Sequence, residues 1–268
     1  AGHYERKLLT KSGEVTLKVP KLRKVTFETA IIERYKRREI SVEEAMIEMY
    51  IAGVSVRRVE DITEALWGTK VSPGTISNIY KKIYVEIEKW RIELLKNHYT
   101  YVYLDWIWLK RTWGGEVKNV SVLVAIGVNS DGFREIIGVA EGSKEDKASW
   151  NGFLRYLKGR GLERIDLIIS DKSFGLIEVI PDFYPKAKWQ RCMVHFYRNI
   201  FSLVPHGKMK EVATMLKAIH AQENIEEARR KKDMVIQKLN EMKLGKAAEI
   251  VRQGCDETFS YYAFPVEH

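Results

Sequence analysis

Long apolar runs are missing from this 268-residue chain. None approaches the roughly 18 residues that a membrane-crossing helix needs, so no membrane partner is expected. The opening residues, AGHYERKLLTKSGEV, lack the apolar stretch of a secretory signal. Cysteine is scarce: Cys192 and Cys255 are the only two. Two thiols make neither a disulfide framework nor a four-cysteine zinc site, which points to a reducing interior such as the cytoplasm. Internal repeats and low-complexity tracts are absent too. What remains is ordinary for a folded protein, at 45% hydrophobic and 30% charged residues. The length suits one large domain or two modest ones.

Charge is in excess and unevenly placed. Lys and Arg number 45 against 36 Asp and Glu, a net +9. Residues 1–40 hold 11 basic and 5 acidic side chains, so +6 of that excess lies in the first 40 residues. It peaks at Lys18, Lys21, Arg23, Lys24 and at Arg34, Lys36, Arg37, Arg38. Such an arm suits contacts to nucleic-acid phosphates; a solvated charged edge is the plain alternative.

The chain then changes character twice. Residues 14–19 alternate and read as a short strand ending at Pro20. Residues 41–95 read as three helices. Ser41 with Glu44 is a capping box for the first, and Gly53 stops it. The second runs from about Val56 to Trp67 and stops at Gly68. Ser72-Pro73 starts the third, with a hydroxyl N-cap followed by a proline at the first helical position. From Tyr99 the pattern turns to strands: 101–111, 117–129 and 134–140, with turns at Gly114-Gly115 and Asn129–Gly132. Residues 146–158 are helical, 164–170 a buried-type strand, 175–183 a helix and 187–194 a last strand. Residues 196–252 are helical and charged, with Glu226–Arg230 and Glu227–Lys231 spaced for i,i+4 pairing. A strand meander followed by crossovers predicts an α/β fold with a mixed sheet and helices on its faces.

Two carboxylates stand out in that order. Asp105 interrupts an apolar, aromatic strand, where a carboxylate is costly without a partner. Asp171 follows the buried-type strand. If those strands are neighbours, the two acids face each other, and a divalent cation relieves their repulsion. Oxygen donors suit Mg²⁺ or Mn²⁺, the ions of phosphodiester chemistry. The plain alternatives are a salt bridge for Asp105 and a helix N-cap for Asp171. Cys192 and His195 lie three apart without two further zinc ligands, so they read as a structural motif, a buried thiol and a hydrogen-bonded imidazole. Trp106, Trp108 and Trp113 read as core and edge packing. Residues 41–98 form a candidate helix-turn-helix reader. Its third helix would offer Thr75, Ser77 and Asn78 to a major groove, with Lys81 and Lys82 on phosphates; a plain helical packing module is the alternative.

These residues resemble a known family. Tyr-Leu-Asp105-x-x-x-x-Lys110, Val-Ala-Ile-Gly-Val-Asn, Ser-Asp171-x-x-x-Gly175-Leu and Gln-Arg-Cys192-x-x-His195-x-x-Arg198-Asn199 occur in this order. With Gly53-Val-Ser-x-Arg57-x-Val-x-Asp61 upstream and Tyr-Ala-Phe-Pro near residue 264, the chain looks like the Mutator-type transposases of bacterial and archaeal insertion sequences. The resemblance implies a ribonuclease-H-like catalytic core (βββαβαβ) over 99–195, holding Asp105 and Asp171 of a DDE triad that binds Mg²⁺ or Mn²⁺. It implies a DNA-binding region before the core, extending the contacts to Arg57 and Arg58, behind the basic arm of 1–40. It also implies a helical insertion over 196–268. Double-stranded DNA would be the partner, both element ends and target, met by a homodimer or higher oligomer in the prokaryotic cytoplasm beside the nucleoid. Two departures stand out. Lys172-Ser173-Phe174 follows the second Asp, where a histidine is usual. The segment bearing the third carboxylate is not found before His268, and neither Glu227 nor Glu267 is assigned to it, so poor catalysis by this chain alone is expected. The competing expectation is a non-catalytic DNA-binding remnant that represses the intact element.

Overall fold

A computed structural model describes residues 2–10, 12–21, 38, 40–113, 116–142 and 146–265, with backbone alone for 111–113 and 116–118. The chain divides into two units, Ala1–Ile92 and Glu93–His268. Most of the basic arm, namely Arg23, Lys24, Arg34, Lys36 and Arg37, lies outside the described residues, as do the Gly114-Gly115 turn and Glu267.

The first unit opens with an antiparallel hairpin of β1 (His3–Thr10) and β2 (Gly13–Pro20). Alternation in 14–19 revealed β2. The run Glu-Arg-Lys-Leu-Leu hid β1, because only Leu8 and Leu9 at its end are buried. Three helices follow: α1 (Ile40–Ile51), α2 (Val56–Trp67) and α3 (Pro73–Ile92). The expected capping box is not there. Helix α1 already includes Ile40, which puts Ser41 inside the first turn, and its hydroxyl is buried without a hydrogen-bond partner among the described residues. The other signals act as read. Gly68 ends α2 in the left-handed region at φ 68°, which favours glycine. Ser72 Oγ accepts from Thr75 N at 3.3 Å, ahead of Pro73. Val42, Met46, Val59, Trp67, Ile76 and Ile79 close the core, with Leu9 from the hairpin.

The second unit holds a mixed five-stranded sheet: β3 (Tyr99–Trp113), β4 (Glu116–Asn129), β5 (Arg134–Gly142), β6 (Leu167–Ser170) and β7 (Lys188–Arg191), in the order β5-β4-β3-β6-β7. The β3–β4 and β4–β5 pairs are antiparallel, and β3–β6 and β6–β7 are parallel. Asn129 Oδ1 accepts from Asp131 N and Phe133 N to shape the β4–β5 turn. Helices α4 (Lys147–Gly159) and α5 (Phe174–Phe183) make the parallel crossovers. Their Trp150, Phe153, Leu157, Leu176 and Val179 pack on Val102, Leu104, Leu123 and Ile168. Strand residues alternate faces, so Tyr101, Tyr103 and Asp105 point to the other side.

Strand β7 is shorter than the expected 187–194. It ends at Arg191, Cys192 takes the N-cap position, and helix α6 (Met193–Phe201) begins at once. Helices α7 (Met209–His220), α8 (Ile225–Glu241) and α9 (Gly245–Gly254) join α6 around a separate core that includes Phe196, Val212, Leu216 and Val251. On α8, Arg230 pairs with Glu227 at 3.0 Å, one position closer than the expected Glu226. The chain then returns to the sheet edge. Ser260 Oγ donates to Trp189 O at 2.8 Å, and Tyr261 N donates to Gln190 Oε1 at 2.7 Å.

Candidate active site

The β3–β6 ladder ends at the pair Leu104–Ser170. Asp105 is the next residue along β3, and Asp171 the next after β6. The two strands are therefore the neighbours that a facing pair of acids requires. Ser170 pins the end of β6: its carbonyl accepts from Cys192 N at 2.7 Å, and its hydroxyl accepts from Trp189 Nε1 at 2.9 Å. On the face opposite α4 and α5, Tyr101, Tyr103, Leu167 and Ile169 line a cleft of about 960 Å³. Asp105 continues the β3 row of that face.

Neither plain alternative for the acids is seen among the described residues. Asp105 is exposed and Asp171 half-buried, and among the described residues neither has an ion-pair partner. Asp171 does not cap α5, whose N-cap position is Ser173. Each uses one oxygen to accept from the next backbone amide: Asp105 Oδ1 from Trp106 N at 2.9 Å, and Asp171 Oδ1 from Lys172 N at 2.7 Å. The donor set suits a hard cation, with water or phosphate oxygens completing its shell. Among the described residues no group of three or more His, Cys, Asp or Glu side chains is placed to hold a metal.

Cys192 is the N-cap residue of α6, hydrogen-bonded to the end of β6, and His195 lies in the helix's first turn. The expected hydrogen-bonded imidazole is not seen among the described residues, where His195 Nδ1 is buried without a hydrogen-bond partner. Nor is Cys192 a fully buried thiol; it is half-buried, whereas Cys255 is the buried one, pushed up to about 12 by burial. Trp106 packs against the core, while Trp108, two residues on along the same face, is exposed with its ring 6.0 Å from that of Trp106.

In the first unit the groove-reader residues fall into two sets. Ser77, Asn78 and Lys81 form an exposed stripe on α3, and Arg57 and Arg58 are exposed in the first turn of α2. Thr75 and Lys82 are engaged internally. Thr75 Oγ1 accepts from Ser72 Oγ at 3.0 Å and Arg38 Nη2 at 3.4 Å, and Lys82 Nζ pairs with Glu43 at 2.8 Å.

One cluster beside the acids escaped the sequence reading. Glu257 pairs with Lys172 and, at 3.5 Å, with Arg191. Arg191 stood in a quoted motif and Lys172 in a noted departure, but Glu257 lies 85 and 66 residues from them. No local spacing announces such a contact.

The profile described as "Transposase, Mutator family" matches residues 1–268. The chain belongs to the Mutator family of transposases. Among its relatives, the transposase for insertion sequence element IS256 in transposon Tn4001 from Staphylococcus aureus is 36% identical over 97% of this chain and 67% of its own length. The transposase for element ISRM5 from Rhizobium meliloti is 33% identical over 100% and 67%. That for element IS1081 from Mycobacterium tuberculosis is 34% identical over 98% and 64%. This Mutator-family chain thus spans about two thirds of the length of the relatives it matches, and the motif resemblance is borne out. Among the described residues no helix is long and apolar enough to cross a membrane.

Proposed function

We propose that this chain is most of a DDE-type DNA transposase built on a ribonuclease-H-like core. One observation carries the reading: the end of the parallel β3–β6 ladder at Leu104–Ser170, which makes Asp105 and Asp171 the next residues on adjacent strands. The sheet order and the βββαβαβ succession support the same core over 99–195, with 196–268 as the helical insertion. Residues 41–98 are the helix-turn-helix reader. Its exposed Ser77 and Asn78 address the major groove of duplex DNA, and Lys81, Arg57, Arg58 and the arm of 1–40 meet its phosphates.

Asp105 and Asp171 would hold Mg²⁺ or Mn²⁺. When bound, the ion supplies Lewis-acid polarisation of a phosphodiester oxygen. The chain's own part is placement. Backbone bonds from Trp106 and Lys172 fix one oxygen of each acid and leave the other for the ion. Element ends and target DNA are the substrates, strand cleavage followed by strand transfer is the reaction, and two DNA ends call for a homodimer or higher oligomer. A chain with this substrate acts in the cytoplasm, at the nucleoid.

The test is Mn²⁺ binding by the full chain, read from the electron paramagnetic resonance of the free ion. The parent should bind, and Asp105→Asn and Asp171→Asn should each lose that binding. Equal binding by all three removes the metal role. A repressor that binds DNA without cleaving it is the second reading. It is favoured by the lack, among the described residues, of a third ligating side chain beside the pair.

A further inference from the structure

Beside Asp171 lies a cavity of about 390 Å³, lined by Lys172, Arg191, Asn199, Ser202, Gln253 and Gly254 among others. Arg191 is 9% exposed, and its guanidinium carbon lies 5.2 Å from the centroid of the Phe196 ring. Its Nε has no hydrogen-bond partner among the described residues. Its one ion pair among the described residues, to Glu257 at 3.5 Å, is long beside the roughly 2.7–2.9 Å of a charge-assisted bond. A buried guanidinium with unused donors is costly. Two cations share one carboxylate here, leaving one positive charge; Asn199 adds a neutral amide donor, while Ser202 Oγ donates to Asn199 O at 2.8 Å and Gln253 Nε2 to Glu249 Oε1 at 2.7 Å. Gly254 completes the cradle. A Cβ there would lie 2.6 Å from Arg191 Nη1 and 3.2 Å from Phe196 Cε2, so bare backbone lets the guanidinium lie against α9.

We infer that this cavity is a phosphate subsite, with the Glu257 carboxylate as an internal competitor for Lys172 and Arg191. The planar donor fork of arginine suits tetrahedral oxyanions. A phosphate seated there would satisfy the donors that Glu257 reaches poorly. Under the transposase reading, on which only the source of the phosphate rests, the group belongs to the DNA backbone next to the bond being cut. Free phosphate offers the same chemistry.

The experiment uses the full chain with a chelator present, so that metal plays no part. Inorganic phosphate is titrated calorimetrically, and a single-stranded oligonucleotide by fluorescence anisotropy. Glu257→Gln frees both cations and should tighten phosphate binding by about tenfold. Asn199→Asp, at an exposed position on the wall, adds a negative charge and should weaken it by about as much. Gly254→Ala should also weaken it by displacing the guanidinium. Oligonucleotide affinity moving in the same directions assigns the phosphate to the DNA backbone. If only inorganic phosphate responds, the subsite stands with free phosphate as its ligand. No saturable phosphate binding by either the parent or Glu257→Gln overturns the subsite, as do equal affinities across the variants. Mn²⁺ binding that ignores Asp105→Asn, in a chain whose phosphate binding follows these variants, sinks the catalytic reading and spares the subsite.

Discussion

Replacing Asp105 or Asp171 with asparagine separates a metal-holding pair from a structural one. Asparagine keeps the shape and one acceptor oxygen, so the bonds from Trp106 N and Lys172 N survive. Among the described residues neither acid has an ion-pair partner, so no buried cation is stranded. The change is one of charge. Like charges on adjacent strands repel, and removing one relieves that, so without metal each variant should match the parent or exceed it by up to about 1 kcal/mol. Structural salt bridges predict the opposite, a loss of roughly 3–5 kcal/mol. Mn²⁺ reverses the order. With a Kd of about 1 mM, about 10 mM Mn²⁺ stabilises the parent by RT ln 11, about 1.4 kcal/mol. For a unit of this size that raises Tm by roughly 3–5 °C. The assay is thermal unfolding of parent and variants, in chelator and in Mn²⁺. Variants that each lose several kcal/mol, beside a parent whose Tm ignores Mn²⁺, would refute the metal-ligand reading of this pair.

Further outcomes are expected elsewhere. His220 is buried, with Tyr197 Oη at 2.6 Å and Thr258 Oγ1 at 2.7 Å from its ring nitrogens, and burial holds its pKa below the usual 6.5 despite a bond to Leu216 O. The unfolded chain therefore takes the proton first. Stability should be full above about pH 6.5 and fall by up to about 1.4 kcal/mol per pH unit below it; a urea series from pH 7.5 to 5.5 checks this, and an identical pH slope in His220→Gln rejects it. Trp150 is 1% exposed between α4 and the sheet, so Trp150→Ala should cost about 3–5 kcal/mol in the same assay. Ser72→Ala removes the N-cap of α3 and should cost about 1 kcal/mol, seen as a lower Tm of the first unit. On the exposed α3 stripe, Lys81→Glu should weaken duplex binding by the metal-free full chain and flatten its log-affinity against log-salt slope by about 0.9 per lost phosphate contact. An unchanged slope would remove Lys81 from the interface.

The legible parts are those that a local pattern specifies. Apolar, β-branched and aromatic runs marked β3 and β4 as strands, and in the fold Val102 and Leu104 face the core while Tyr101 and Tyr103 face the cleft. Ser72-Pro73 and Gly68 marked helix ends because backbone chemistry at a cap is decided within four residues. Signals failed where a neighbour in space overrode them. Ser41 and Glu44 have capping-box spacing, yet α1 starts earlier and buries the hydroxyl. Residues 187–194 read as one strand, but β6 pairs with β7 only as far as Arg191, with Cys192 N donating to Ser170 O, and the helix takes over. Strand β1 pairs along its whole length while burying just two side chains, so it has no alternation to read.

The site divides along the same line. Asp105 is conspicuous because a carboxylate in an apolar run has a cost that the sequence itself displays, and Asp171 because it follows the buried-type run 164–170, of which Leu167–Ser170 is the wholly buried strand. Each could be found alone. Their adjacency needed one topological inference, that the strand after the meander returns parallel beside the first. The Lys172–Arg191–Glu257 cluster offers no such route. Its acid comes from a short turn after α9, and only the packing of the helical insertion against the β7 edge brings it to the two bases. What the sequence did show was that both bases stand next to legible residues, Lys172 after Asp171 and Arg191 before Cys192. A basic side chain adjoining a candidate catalytic acid is therefore a reason to search the folded chain for the group that neutralises it. In this protein that group is Glu257, and its incomplete hold on Arg191 leaves the donor capacity that a phosphate can fill.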